Sequence, residues 1–221
     1  MGIISVEQVD HLYWLGRYTE RVYTTLKIFE RSFDRMIDEG ENLHNTFCEA
    51  LDIPNIYESD EDFLSRYPFD ETIADSIISN LNRAYDNAIV LRETIGSEAL
   101  SYVQLAIYSM TNAKNSVSPL IELQQITDDL LAFWGIVDDW IDSEQTRNII
   151  KAGKRIERID LYTRLELDRE RIEREIKRMI PRVLRSGINY RESSLCELQT
   201  LIHADFLNYD AILNAVESVI E

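Results

Sequence analysis

The chain has 221 residues, a net charge of −17, two cysteines and no apolar run near the roughly 20 residues that cross a bilayer. So acidic a chain repels a nucleic-acid backbone, and we expect no nucleic-acid partner and no membrane segment. The first residues fit neither a signal peptide nor the myristoylation pattern, and Cys48 and Cys196, far apart in sequence, predict free thiols and a cytoplasmic protein.

Helical periodicity runs through the first part of the chain. Apolar residues at steps of three and four predict a long helix over residues 6–39, ended by Gly40, and a short one over 41–51. Residues 52–68 predict a connection with one helical turn near 60–67. We expect Asp70 to cap a helix over 70–94, a break at Gly96 before a helix over 97–115, and Pro119 to open a helix over 119–141.

The same periodicity continues to the end of the chain. It predicts helices over 143–167, 169–185, 193–208 and 209–220, the second with Asp168 as N-cap, Pro181 as a kink or split and Gly187 as its end. No segment alternates as a strand would. The sequence therefore predicts an all-α fold, a single-domain bundle of about eight helices over residues 1–221.

One short motif occurs twice, 137 positions apart. Residues 16–22 read GRYTERV and residues 153–159 read GKRIERI, so each copy has Gly, a base, two residues, then Glu-Arg. Adjacent residues on a helix point about 100° apart and do not face one another. If the two helices pack antiparallel about a pseudo-twofold axis, Glu20 reaches Arg158 and Glu157 reaches Arg21. Arg17 and Lys154 lie one turn before each glutamate, where pairing along the helix is also open.

Both motif copies also begin with a glycine inside a helix. A helical glycine costs on the order of 1 kcal/mol relative to alanine, which indicates a packing or site role for Gly16 and Gly153. In these positions the glycines would let the two backbones approach closely. We call the segments that carry the two copies the ER helices.

Three segments together resemble the alpha-E family, a bacterial helical domain named for its ER motif. Residues 11–21 (HLYWLGRYTER) resemble its opening signature, residues 91–99 (LRETIGSEA) its middle motif, and residues 153–160 with Arg164 its third motif. Leu100 stands where the middle motif normally has a tryptophan close behind. The match covers most of the chain in the right order, and the opening motif is the most specific of the three.

The resemblance implies which proteins this one works with, but not which reaction it takes part in. Members of the family are typically encoded beside, or fused to, circularly permuted ATP-grasp proteins and transglutaminase-like peptidases. It therefore implies an accessory or binding component of an ATP-dependent amide- or peptide-ligase system. No catalytic residue carries over position by position.

The candidate site is a polar cluster built from the charged residues of the motifs. It acts either as a structural lock or as a ligand-binding wall. A lock leaves both glutamates paired with arginines and walled in by apolar groups, whereas a site leaves a cavity. The alternative function is an enzyme that binds a carboxylate- or phosphate-bearing substrate at this cluster. Its members are Arg17, Glu20, Arg21, Arg92, Glu93, Lys154, Glu157 and Arg158.

An acidic motif offers a remote alternative. Asp138, Asp139 and Asp142 spell D-D-x-x-D, the pattern with which isoprenoid synthases hold magnesium against a diphosphate. That chemistry needs a second acidic motif on a facing helix, and the sequence offers no convincing one. An exposed acidic turn at a helix end is the interpretation we favour.

No cofactor or metal is predicted. Glu41 and His44 make half of a di-iron motif, His11 and His203 lack the matching glutamate, and zinc spacing is absent. The sequence has no phosphate-cradling loop, so we expect a partner to bind any ATP that the system consumes.

Two patterns stay open. Residues 151–185 hold 12 bases and 7 acids, which either salt-bridge to the acidic remainder or form a surface for an anionic ligand or acidic partner. The aromatics of the first ER helix either line a pocket or pack in a helix that is buried on several sides, which we favour. They are Tyr13, Trp14, Tyr18 and Tyr23.

Overall fold

The computed structural model describes residues 4–39 and 42–221, and of residues 33–39 it describes only the backbone. The described residues are all-α, which confirms the predicted class. They form ten helices rather than about eight, and residues 60–66, predicted as a single turn, make a helix of their own. The helices are α1 (Val6–Glu39), α2 (Leu43–Leu51), α3 (Asp60–Arg66), α4 (Ile77–Val90), α5 (Arg92–Asn115), α6 (Pro119–Asp139), α7 (Glu144–Arg164), α8 (Arg169–Ser186), α9 (Glu192–Ile202) and α10 (Tyr209–Glu217).

Residue contacts divide the chain into two compact units. The first unit comprises Met1–Glu20 and Ile141–Glu221, and the second comprises Arg21–Trp140. The boundary falls inside α1, between Glu20 and Arg21 of the first ER motif. That the two units form a single domain stays a prediction.

The first unit has a core of aliphatic side chains from α7 to α10. Ile156, Ile159 and Ile176 are buried there together with residues of the last two helices, and Tyr13 from the start of α1 packs against them. Helices α7 and α8 are antiparallel, since only four residues join them. After α10, the chain returns to the start of α9, where Arg191 donates its backbone N–H to the carbonyl of Val219 at 2.9 Å.

The second unit is centred on aromatic rings. Phe29 of α1, Phe47 of α2 and Phe63 of α3 are buried with ring centroids 5.1–6.2 Å apart, and Tyr67 stacks on Phe63 at 5.0 Å. Edge-to-face and tilted pairs of this kind stabilise a core beyond the area they bury. Helices α4, α5 and α6 pack beside one another in the same unit.

Helix ends follow the sequence signals at most positions. Asp168 caps α8 by accepting the N–H of Arg171, Pro119 opens α6, and Gly187 ends α8 with a positive φ of 73°. Helix α8 runs through Pro181 without being split. The predicted cap at Gly40 lies outside the described residues.

The predicted N-cap of α4 is wrong by six residues. Helix α4 begins at Ile77, where the Ser76 hydroxyl accepts the N–H of Ser79. Asp70 instead accepts the backbone N–H of Thr72 at 2.9 Å, which closes a local turn. Both residues are good caps, and the turn at Asp70 competes with helix extension. The predicted break at Gly96 is present as a kink inside α5, with φ 84° and ψ 160°.

The two cysteines are free and differ in access. Cys48 is buried, which raises the pKa of its thiol to about 11, and Cys196 is exposed. We expect a thiol reagent at pH 8 to modify one cysteine of the native protein quickly and the second only after denaturation, because the thiolate is the reacting form. Mass spectrometry of the labelled protein checks this. Finding zero reactive thiols after denaturation without reductant would contradict it.

Within the described residues, no helix combines the length and the apolar character that a bilayer crossing requires.

Candidate functional site

The ER helices cross at their two glycines. A Cβ added to Gly16 would overlap the carbonyl oxygen of Ile150, and one added to Gly153 would overlap that of Tyr13. Beyond these two carbonyl groups, the nearest atoms would be the amide nitrogen of Lys154 at 3.1 Å from the first Cβ and that of Arg17 at 3.2 Å from the second. Each contact maps onto the other by the same shift of 137 positions. The predicted pseudo-twofold relation therefore holds at the crossing, and only glycine permits this backbone approach.

Glu20 forms the predicted ion pair across the crossing. Arg158 donates Nε to Oε1 of Glu20 at 2.5 Å and a terminal nitrogen to Oε2 at 2.9 Å. Glu20 is 0% exposed. Burial alone would lower the pKa of Arg158, but the charge and hydrogen bonds of Glu20 outweigh it and raise that pKa. The pair is therefore a bidentate and desolvated one, the strongest form of this contact.

Glu157 pairs across the crossing with Arg17, whose own partner the sequence did not decide. Arg17 donates Nε to Oε2 of Glu157 at 2.5 Å, and its terminal nitrogen lies 3.8 Å from Asp160. Arg17 thus reaches the other ER helix rather than Glu20 one turn along its own. Glu157 is 1% exposed. Arg21 belongs to the second unit, and its pairing with Glu157 stays a prediction.

Aromatic rings cover the Arg17 guanidinium. Its central carbon lies 5.2 Å from the Trp14 ring centroid and 5.9 Å from that of Tyr13. Tyr18 stacks on Trp14 at 5.3 Å, and Trp14 keeps 41% exposure. Burial raises the pKa of Tyr13, although the Arg17 charge opposes the shift. Tyr13 and Trp14 hold the arginine through cation–π contacts, and Tyr18 supports the Trp14 ring. Tyr23 packs against the core of the second unit.

Two further carboxylates extend the network beyond the predicted cluster. Asp160 accepts from Arg164 at 2.8 Å, and burial raises its pKa with a further contribution from the nearby Glu157. Glu175 of α8 accepts from Arg155 at 2.5 Å. Asp160 and Arg164 lie three and seven residues after Glu157, so helical spacing could have identified them. Glu175 has no such signal, because only the packing of α8 on α7 brings it to the network.

Lys154 occupies the position in the second motif that Arg17 occupies in the first. Burial lowers the pKa of Lys154 to about 7, and the charges of Arg158, Arg155 and Lys151 add to the shift, while Glu20 opposes it. A lysine with such a pKa is partly neutral at physiological pH. At physiological pH, Lys154 in the second motif therefore carries less positive charge than Arg17 does at the same position of the first motif.

The lowered pKa of Lys154 predicts that stability rises between pH 7 and pH 8.5. In this window the unfolded chain keeps a proton on Lys154, whose ordinary pKa is 10.5, while the folded protein releases it. The free energy of unfolding should therefore rise, on the order of 1 kcal/mol. Urea denaturation at several pH values measures it. Lys154→Met should flatten the dependence, and equal slopes in both proteins would contradict the prediction.

The remaining predicted members lie in the second unit. Arg92 and Glu93 are exposed at the first turn of α5. Their membership in the cluster, like that of Arg21, stays a prediction. The first unit itself brings together Arg17, Glu20, Lys154, Glu157 and Arg158.

The acidic motif straddles a helix end. Asp138 and Asp139 are exposed in the last turn of α6, and Asp142 is exposed beyond it. No group of three metal-binding side chains occurs in the part of the chain that the structure describes. This placement agrees with the solvent-exposed turn that we favour.

His44 has a structural partner. Its Nδ1 lies 2.6 Å from the Asp60 carboxylate, which also accepts the backbone N–H of His44 at 2.8 Å. The contact joins α2 to the first turn of α3. Glu41, the other half of the di-iron motif, lies outside the described residues.

The fold and the site define a class: an all-helical protein in which two copies of one motif cross at glycines and neutralise each other's charges. A family model described as a predicted alpha-helical domain with a conserved ER motif matches residues 7–220. The chain therefore belongs to the Alpha-E family. No curated protein and no solved structure matches it at a significant level.

Proposed function

We propose that this protein is an accessory or binding component of an ATP-grasp amide- or peptide-ligase system. The observation that carries the proposal is the state of the motif glutamates: Glu20 and Glu157 are 0% and 1% exposed and each is held by an arginine. A catalytic carboxylate needs access to substrate. Two buried, paired carboxylates instead hold two helices together, so the reaction itself belongs to a partner.

The partner in this proposal is a circularly permuted ATP-grasp protein, with a transglutaminase-like peptidase as a further member of the system. The support is the resemblance of the sequence motifs to the alpha-E family, whose members are typically encoded beside, or fused to, such proteins. The absence of a phosphate-cradling loop from the sequence supports assigning ATP binding to the partner. The proposal places the protein in the cytoplasm, which its free cysteines support.

The experiment combines the chain with a circularly permuted ATP-grasp protein from the same genome. Calorimetry should detect no micromolar ATP binding to the chain alone, and light scattering should detect a complex of the two proteins. Steady-state assays should show faster ADP release when the chain is added to the partner. Stoichiometric nucleotide binding by the chain alone would contradict the proposal, as would the lack of a complex at micromolar concentrations.

A second candidate function is an enzyme that binds an anionic carboxylate or phosphate substrate at the polar cluster. The lowered pKa of Lys154 favours it, because a neutral lysine is the form that acts as a base or nucleophile. Lys154→Met separates the candidates. In the accessory role, the variant should keep its effect on the partner, whereas an enzyme would lose turnover and keep its fold.

A further inference from the structure

Helices α7 and α8 lie antiparallel in a fixed register. Arg155 of α7 bonds to Glu175 of α8, and Asn148 of α7 bonds to Arg182 of α8 at 3.0 Å. The two contacts are seven residues apart on each helix and run in opposite directions. Lys151, midway between Asn148 and Arg155, therefore lies beside the turn of α8 that carries Arg178 and Arg182.

Several other cations of the basic segment have a carboxylate close by. Arg158 pairs with Glu20, as described, and Arg164 with Asp160. On α8, Arg171 lies 2.9 Å from Asp168, and Lys177 bonds to Glu173. These pairs account for much of the local charge without any ligand.

Positive charge exceeds negative charge along the seam between α7 and α8. Arg155 and Arg178 bond to the carboxylate of Glu175, which is 2% exposed, and Arg174 lies 3.9 Å from it. Arg182 donates to the neutral amide of Asn148. Three guanidinium charges thus lie at one carboxylate charge, a fourth contacts a neutral amide, and Lys151 lies one turn from Arg155.

The effect of this excess is visible at Lys151. Burial lowers its pKa to about 8, and the charges of Arg182 and Arg155 add to the shift. Burial likewise lowers the pKa of Arg155 despite its bond to Glu175. An anion placed among these groups would offset both the desolvation and the mutual repulsion.

We propose that Lys151, Arg155, Arg178 and Arg182 form a binding site for a small oxyanion, a phosphate- or carboxylate-bearing molecule. Guanidinium forks recognise both groups through paired, charge-assisted hydrogen bonds, and a lysine adds a point charge. The site lies outside the predicted polar cluster and does not rest on the proposed function. It would make the protein a sensor or carrier of an anionic metabolite.

The dimensions of the site select a small ligand. One helical turn separates the two cations on each helix, which is about 6 Å along the axis, and packed helices lie about 8–10 Å apart. A single phosphate, a diphosphate or a di- or tricarboxylate fits this area. An extended acidic peptide would need cations over several more turns, where Lys177 and Arg171 already lie beside carboxylates.

The test measures binding of pyrophosphate and of citrate, each at constant ionic strength set with chloride. Calorimetry should give saturable binding of one ligand per chain for at least one of the two anions. Preference for pyrophosphate assigns a phosphate ligand, and preference for citrate assigns a carboxylate ligand. Thermal denaturation should show the same preference as a rise in the midpoint.

Variants locate the site. Lys151→Met relieves a desolvated charge and should fold, yet it should weaken binding about ten-fold, the usual size of one charge-assisted contact. Arg178→Gln, at a half-exposed position, should act in the same direction. Lys177→Gln removes one charge from the same helix and should change the dissociation constant less than about two-fold. Equal weakening by all three variants, or no saturable binding of either anion, would overturn the proposal.

Discussion

Glu20→Gln should destabilise the protein by about 3–5 kcal/mol, the usual cost of removing one partner from a buried ion pair. The variant leaves the Arg158 guanidinium without its counter-charge at a site where Glu20 is 0% exposed and accepts two bonds. An amide can accept one of them but supplies no charge. Urea denaturation at pH 7, with the slope of the transition checked for two-state behaviour, measures the change.

A double-mutant cycle separates the pair from its surroundings. Arg158→Leu should cost a comparable amount, because it removes from the buried Glu20 carboxylate the arginine that donates two hydrogen bonds to it. The double variant should be less harmful than the sum of the two, since it removes both charges together. Lys177→Gln, which breaks an exposed pair on α8, should leave the denaturation midpoint unchanged. Additive losses from Glu20→Gln and Arg158→Leu would show that the pair carries no coupling energy.

The sequence predicted the crossing because the motif repeats in full. A shift of 137 positions relates Gly16 to Gly153 and Glu20 to Glu157, and helical geometry excludes pairing of each glutamate with the arginine that follows it. These two facts lead directly to the pair between Glu20 and Arg158. Helix boundaries with a single strong signal, such as Pro119 and Gly187, were predictable for the same reason: one residue type fits the position.

The predictions that went wrong or fell short depend on choices between near-equivalent residues. Asp and Ser are both residue types that cap helices, but Ser76 caps α4, whereas Asp70 makes a turn with Thr72. Arg17 could bond along its own helix or across the crossing. It bonds across the crossing to Glu157 and lies over the Trp14 ring, and the spacing encodes neither contact.

The wider network was beyond the reach of periodicity. Glu175 joins Arg155 because α8 folds back on α7, a contact between residues 20 positions apart on different helices. In a segment with 12 bases and 7 acids, the sequence offers many possible partners for each charge. Packing selects one of them, and it also leaves the excess of cations at the seam of α7 and α8.

The last prediction concerns the glycines at the crossing: replacing glycine by alanine should lower the stability of the protein there and raise it at an exposed helical position. Gly16→Ala and Gly153→Ala should each destabilise the protein by about 1–3 kcal/mol or more, because the new Cβ would overlap a backbone carbonyl and push the ER helices apart. Gly135 is exposed within α6, with nothing within 4 Å of an added Cβ. Gly135→Ala should therefore stabilise the protein by about 0.5–1 kcal/mol through helix propensity alone. Thermal and urea denaturation of the three variants measures these changes. Stabilisation by all three would mean that the ER helices do not meet at their glycines. Replacing a glycine inside a helix by alanine also brings a gain in helix propensity. A measured loss of stability at Gly16 or Gly153 therefore understates the cost of separating the two backbones.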